Sequence, residues 1–186
     1  MITVVSGGMY AGKSEELIRL LRRSVYARKN VIAFKPKIDD RYHPTDIASH
    51  AGVTFTGIPV GNPMNIIPLA ADYDVVGIDE AQFYDISIID VVQTLANQGK
   101  EVVVAGLDQD SRGIPFGSMP QLMAIADHVY KVHAVCVVCG AEASKTQRIA
   151  DSQDQILVGS TNAYQARCRK HWHPEPVQHE IEVQDE

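Results

Sequence analysis

Eight residues near the start of the chain, Gly7-Gly8-Met9-Tyr10-Ala11-Gly12-Lys13-Ser14, have the G-x-x-x-x-G-K-S spacing of a phosphate-binding loop. Inward-turned amides of such a loop surround the α- and β-phosphates of a nucleoside triphosphate, its lysine reaches the β/γ oxygens, and its serine hydroxyl binds Mg²⁺. Lys13 and Ser14 hold those two positions. A second chemical pair, Asp79-Glu80, closes the apolar run Asp74-Val75-Val76-Gly77-Ile78. An acid at the C-terminal tip of a strand neighbouring the phosphate loop can bind the water shell of Mg²⁺, which assigns Asp79. Glu80 then stands beside the metal, where it can take a proton from an attacking hydroxyl or water. These residues alone leave kinase and hydrolase both open.

Three cysteines and a histidine make the next group. Cys136-Val137-Val138-Cys139 is followed after 28 residues by Cys168-Arg169-Lys170-His171. Thiolates and a neutral imidazole at these spacings suit a closed tetrahedral Zn²⁺ site that ties together the ends of the intervening segment. His173 could replace His171, although the x₂ spacing of His171 mirrors the first pair. A redox C-x-x-C or unrelated buried cysteines are the alternatives. Three cysteines cannot all pair within one chain, so a disulfide framework is not expected. Inside the tied segment, Gln155-Ile156-Leu157-Val158-Gly159 is an apolar strand ending in glycine, with Tyr164 five residues on. Backbone exposed at Gly159 could meet a flat polar ligand; a core strand of a small zinc ribbon has an equal claim. A last loop, residues 106–117, is marked by Gly106, Gly113, Pro115 and Gly117. Loops at this edge of a sheet form substrate crevices, and Phe116 in it either stacks on a base or anchors the loop.

Positioning these groups requires a particular succession of elements. Ile2-Thr3-Val4-Val5 is a β-branched run suited to a buried parallel strand, and a helix with apolar Leu17, Ile18, Leu20, Leu21 and Val25 begins at Ser14. Glu15 and Glu16 sit at the end of that helix which favours anions, and Arg22, Arg23, Arg28 and Lys29 toward the end which favours cations. Val31-Ile32-Ala33-Phe34 predicts a second strand, closed by Lys35-Pro36. Residues 37–61 are polar and broken by Pro44, Gly52, Gly57 and Pro59; they predict a long functional loop or insertion, with a short strand only at Val53-Thr54-Phe55. Further strands are predicted over residues 74–79, 102–107 and 128–132, and helices over 86–96 and 119–126. This alternation predicts a mostly parallel sheet covered by helices on both faces.

Composition sets outer bounds. The 186 residues, 45% of them apolar, support one ordinary domain with a small appendage. The chain enters a strand without a leader-like stretch and has no membrane-length apolar run, which predicts a soluble cytoplasmic protein. Of its 23 acids, five lie in residues 174–186 without any Lys or Arg, leaving 18 acids against 17 bases elsewhere. The nearly neutral body offers no basic footprint for nucleic acid, and the end of the chain, with Pro174-Glu175-Pro176, predicts a flexible acidic tail. The expected division is residues 1–132 for nucleotide binding, 133–173 for zinc binding and 174–186 for the tail.

These clusters in this order, with Asp79-Glu80-Ala81-Gln82-Phe83 between them, resemble the type II thymidine kinase family over residues 2–173. The resemblance implies a P-loop NTPase-like parallel sheet flanked by helices, with a small C-terminal zinc-ribbon subdomain that carries a lasso. It implies that Gly7, Gly8, Met9, Tyr10, Ala11, Gly12, Lys13 and Ser14 bind ATP, that Asp79, Glu80, Ala81 and Gln82 line the nucleotide site, and that Ser14 and Asp79 hold Mg²⁺. Glu80 would deprotonate the thymidine 5′-hydroxyl. Met9, Phe83, Leu107, Phe116 and Thr146 match family positions around the base. Gln155, Ile156, Leu157, Val158, Gly159 and Tyr164 match the lasso that closes over thymine, and Asp39 and Arg41 match a D-x-R-Y loop near the active site. A homotetramer, feedback inhibition by dTTP and a role in pyrimidine salvage are further implications. Ser111 stands where the family often has phenylalanine, and His50-Ala51-Gly52 lacks an acid that many relatives carry; both bear on substrate range, including deoxyuridine, more than on reaction type. Asp79-Glu80-Ala81-Gln82 also resembles the acidic box of some helicases, but a motor ordinarily needs paired domains and a basic track. A vestigial binding module would have no need of intact Lys13, Ser14, Asp79 and Glu80.

Overall fold

Six strands in parallel register carry the chain's architecture. The computed structural model describes residues 1–37, 46–48, 52, 54–149 and 163–174. In chain order the elements are β1 (Ile2–Ser6), α1 (Lys13–Tyr26), β2 (Val31–Pro36), β3 (Asp46–Ala48), β4 (Thr54–Thr56), β5 (Ile58–Val60), α2 (Ile66–Leu69), β6 (Val75–Ile78), α3 (Ile88–Asn97), β7 (Glu101–Gly106), α4 (Met119–Ile125) and β8 (His128–Lys131). Four short strands complete the described chain: β9 (Ala134–Val135), β10 (Glu142–Ala143), β11 (Lys145–Arg148) and β12 (Tyr164–Arg167). The main sheet has the order β5-β2-β6-β7-β1-β8, and every neighbouring pair in it is parallel. This is the expected parallel sheet covered on both faces.

Burial explains the ordering. β1 and β6 are buried at every residue, as strands sandwiched between helical layers must be. One apolar cluster joins Val4, Phe34, Val76, Ile78, Val102 and Val104 to Ile88, Val91, Val92 and Leu95 of α3 and to Met119 and Leu122 of α4. The opposite face joins Val5, Ala33, Val75, Val103 and Ala105 to Leu17, Ile18 and Leu21 of α1. Gly77 lets α1 approach the sheet, since a Cβ there would lie 2.7 Å from Leu21 Cδ1.

The described residues between 46 and 61 hold more strand than the sequence suggests. β3 and β4 form an antiparallel pair, and β5 adds a sixth strand to the sheet by pairing with β2. The prolines are tolerated for positional reasons. Pro59 lies on the edge strand, and Pro36 lies beyond Phe34, the last residue of β2 that pairs with β6. The segment between Ala134 and Arg167 forms its own short ladders, outside the main sheet. Among the described residues β9 pairs with β10 and β11 with β12, both antiparallel.

Candidate active site

The phosphate loop leaves β1 at Ser6 and enters α1 at Lys13, as its spacing requires. Gly7 adopts φ 153°, and a Cβ there would sit 2.2 Å from the Val132 carbonyl oxygen, so no other residue fits this first turn. Tyr10 and Gly12 also have positive φ, of 65° and 81°. Lys13 Nζ donates to the Gly8 carbonyl at 2.8 Å, which folds the ammonium back over the loop.

β6 is not adjacent to β1, contrary to the simple expectation of neighbouring strands; β7 lies between them. Because α1 packs across both β7 and β6, its first turn still reaches the end of β6. Ser14 Oγ donates to Asp79 Oδ2 at 3.1 Å, and the Glu80 N–H donates to Asp79 Oδ1 at 3.0 Å. Burial first, then the neighbouring Glu80 charge, push the Asp79 carboxyl up to about 7, against the opposing influence of the Glu80 amide, Ser14 and Lys13. The hydroxyl and carboxylate oxygens converge as hard donors, which fits Mg²⁺ with part of its water shell retained. Glu80 adopts the left-handed region at φ 49°, uncommon outside glycine, and such conformations gather at functional sites.

Gln82 is buried, and its side chain ties Glu80 to β7: Nε2 donates to Glu80 Oε2, while Oε1 accepts from the Leu107 N–H at 3.0 Å. Phe83 and Phe116 meet edge-to-face, with ring centroids 5.7 Å apart. Phe116 is thus anchored on an aromatic partner beside the Glu80 turn.

The cysteine and histidine pairs converge as their spacing predicts. The ligand atoms of Cys136, Cys139, Cys168 and His171 all lie within 4.8 Å of one another. Cys139 Sγ is 3.8 Å from Cys168 Sγ, and His171 Nδ1 is 3.8 Å from Cys136 Sγ and 3.3 Å from Cys168 Sγ. A tetrahedron with Zn–S bonds of about 2.3 Å sets its sulfurs roughly 3.8 Å apart, so the four atoms fit Zn²⁺. Burial of the Cys136 sulfur resists ionisation, but N–H donors from Cys168, Val138 and Cys139, with His171, bring the thiol down to about 5. His173 stands outside the cluster; its main chain pairs with the Gln147 side chain in both directions, at 2.8 and 2.9 Å.

The phosphate loop and the segment between the two ligand pairs touch directly. The Met9 N–H donates to Thr146 Oγ1 at 3.0 Å, and Tyr10 Oη donates to the Tyr164 carbonyl at 3.2 Å. Tyr164 itself is buried, its ring lying 5.5 Å from the Arg148 guanidinium carbon. Ser111, in the loop after β7, accepts the Trp172 indole N–H at 3.2 Å through its carbonyl. Lys145, on β11, lies 4.6 Å from the Trp172 ring centroid and donates to Gln109 Oε1 at 2.5 Å. Lys145 and Trp172 escaped the sequence reading, although the chain's single tryptophan directly after His171 was an available signal. Ala81 is buried in the turn after Glu80. Asp39, Arg41, Gln155, Ile156, Leu157, Val158 and Gly159 lie outside the described residues.

A phosphate loop at a helix N-terminus, a Ser–Asp oxygen pair at the end of β6 and an apposed Cys₃His cluster define a P-loop α/β nucleotide-binding protein with a metal-tied appendage. The family model described as thymidine kinase matches residues 1–172, and the chain belongs to that family. Among solved structures, domain III of the Thermotoga maritima replication initiation protein DnaA is 14% identical, over 70% of this chain and 54% of that one, with a TM-score of 0.45. A crystal structure titled DNA replication initiation factor is 12% identical over 70% of this chain and 39% of that one, with a TM-score of 0.43. The Legionella pneumophila ATPase DotB is 14% identical over 66% of this chain and 34% of that one, also at 0.43. The chain spans less than two thirds of the length of each of these three.

Proposed function

We propose that the protein transfers the γ-phosphoryl group of ATP to the 5′-hydroxyl of thymidine, giving dTMP. Membership of the thymidine kinase family supports the reaction. The observation that carries the site assignment is the apposition of two halves, with the phosphate loop hydrogen-bonded through Met9 to Thr146 of the tied segment. A triphosphate held by that loop therefore lies beside a segment suited to hold an acceptor.

In this reading residues 7–14 cradle the phosphates, and Lys13 moves from Gly8 to the β/γ oxygens. Ser14 and Asp79 would hold Mg²⁺, which neutralises charge on the transferring group. Glu80 accepts the 5′-hydroxyl proton as the nucleophile attacks in line, and most of the acceleration comes from positioning and electrostatics. Cys136, Cys139, Cys168 and His171 hold a structural Zn²⁺ that adds stability and takes no part in transfer. Met9, Phe83, Leu107, Ser111, Phe116, Thr146 and Tyr164 surround the base, together with residues 155–159 and with Asp39 and Arg41 nearby; the family resemblance supports these roles. Closure of the tied segment would exclude water and limit ATP hydrolysis. The change from the parallel sheet to the paired short strands supports a division near residue 132; the one at 173 rests on composition and the family resemblance.

The resemblance extends the reading to a cytoplasmic homotetramer inhibited by dTTP and serving pyrimidine salvage and DNA precursor synthesis, with deoxyuridine as a second acceptor. Among the described residues no helix is long and apolar enough to cross a membrane. The deciding experiment transfers label from γ-³²P-ATP with thymidine, deoxyuridine, deoxycytidine or no acceptor, with zinc content measured alongside. Labelled dTMP is the expected product. Equal release of free phosphate with and without acceptor would defeat the kinase reading.

A further inference from the structure

We propose that Gln82 is a positioning residue for the phosphoryl-transfer base: its side-chain amide locks the Glu80 carboxylate to the end of β7 and thereby to the loop that follows. The inference rests on the assignment of Glu80 as the base, and goes beyond it by naming what aims that base.

Gln82 is 3% exposed and occupies the middle of the short 3₁₀ turn Ala81–Phe83 that follows Glu80. Its two polar ends face opposite demands. The Glu80 carboxylate can only accept, so Nε2 must point at it; the Leu107 N–H can only donate, so Oε1 must point there. Both constraints select the same amide orientation, and no other side chain of this length offers one donor and one acceptor in that fork. The surroundings grip it as well. A Cβ at Gly106 would come within 2.8 Å of Gln82 Oε1, and one at Gly117 within 2.4 Å of its carbonyl oxygen. Glycine at these positions leaves the space that Gln82 fills.

Glu80 needs such a brace because its own backbone is held in the left-handed region at φ 49° by an N–H bond to Asp79. The backbone is thereby fixed, and the side-chain torsions set where the carboxylate oxygens fall. A general base works only within hydrogen-bond reach of the proton it takes, and displacement of about 1 Å costs on the order of 10²-fold in rate. Gln82 supplies that restraint and refers it to Leu107, at the start of the loop bearing Phe116. Base and acceptor loop therefore keep a fixed relation whatever the tied segment does.

Two variants of the full-length protein separate this role from simple packing. Gln82→Met keeps the length and loses both bonds. Gln82→Glu keeps an acceptor for Leu107 but sets a carboxylate against Glu80. If Gln82 positions the base, both should lower kcat, Gln82→Met by about 10- to 100-fold, with the KM values for ATP and thymidine changing less than about threefold. Gln82→Glu should be the worse of the two. A Gln82→Glu protein near wild-type with only Gln82→Met impaired, or losses confined to KM, would overturn the proposal in favour of a structural bond to Leu107. The side-chain amide resonance of Gln82, assigned by its disappearance in Gln82→Met, reports the contact without activity. It should move in Glu80→Gln, and an unmoved signal would overturn the contact itself. Wild-type protein that fails to phosphorylate thymidine while this signal still moves would remove the functional reading and leave the bracing of Glu80 standing.

Discussion

The sheet and the segment that carries the Cys₃His cluster meet at the phosphate loop but differ in what holds them together. β1, β6 and β7 lie between helical layers with an apolar cluster on each face, so the phosphate loop and the Asp79-Glu80 turn rest on the ends of buried strands, both paired to β7. Among the described residues beyond 133 the buried apolar cluster is Ala134, Cys136, Ala143 and Ala166, three of them alanines, with two-stranded ladders around it. Isolated two-stranded ladders are marginal in water. The four converging ligand atoms are placed to add, with a bound metal, what so small a core does not. The difference teaches a division of labour: under the proposed function, charge chemistry falls to the half with the larger core, and the part that meets the acceptor to a half that a bound metal would order.

Metal removal is the largest lever on that contrast. Structural Zn²⁺ contributes on the order of 10–16 kcal/mol of apparent binding free energy in small domains. Chelation, or Cys139→Ser, should abolish amide-exchange protection around β9 to β12 and thymidine transfer, while the six-stranded sheet keeps its protection. Simultaneous loss in both halves would break the comparison. Next in size is Glu80→Gln, which should lower kcat by about 10²- to 10⁴-fold while ATP affinity is retained. Unchanged turnover would take Glu80 out of the mechanism.

Asp79→Asn tests whether the half with the larger core gives up stability to hold its charges. The folded carboxyl is raised to about 7 from 3.8, chiefly by burial, so the ionised group is a stability cost above pH 7 that shrinks as the pH falls toward 4. In protein free of divalent cations the asparagine variant should melt several degrees higher at pH 8, with the gain disappearing near pH 4. An equal gain at both pH values would assign the effect to something other than ionisation. The smallest change is Thr146→Val, which removes the acceptor for the Met9 N–H. Loss of one such bond costs about 1 kcal/mol, or roughly fivefold, and should weaken ATP and thymidine together because the bond joins their two halves. Weakening of one substrate alone would show that the halves are not coupled there.

Much of this arrangement is legible in the chain, and the exceptions have physical causes. Buried parallel strands announce themselves as β-branched runs, and the phosphate loop by glycines that its turns require. β5 was missed because Ile58-Pro59-Val60 lies between Gly57 and Gly61 and has the composition of a turn; only its partner β2 makes it a strand. β7 is legible as a strand, but its place between β1 and β6 is not, because the order of parallel strands is a property of crossover connections and leaves no local mark. His171 rather than His173 joins the cysteines, a choice that the spacing favoured and the geometry makes.

The sequence by itself determined which chemistry is present: a lysine and serine on a phosphate loop, two adjacent carboxylates, and four metal-type ligands at closing distances. Local rules suffice there, since each motif is short and its glycines, charges or spacings act within a few residues. Only the tertiary structure decided how these groups address one another. Ser14 reaches Asp79 across 65 positions and Gln82 joins Glu80 to Leu107 because the parallel sheet brings distant strand ends to a common edge, and Met9 reaches Thr146 across 137 because the ladder of β11 and β12 packs against that edge.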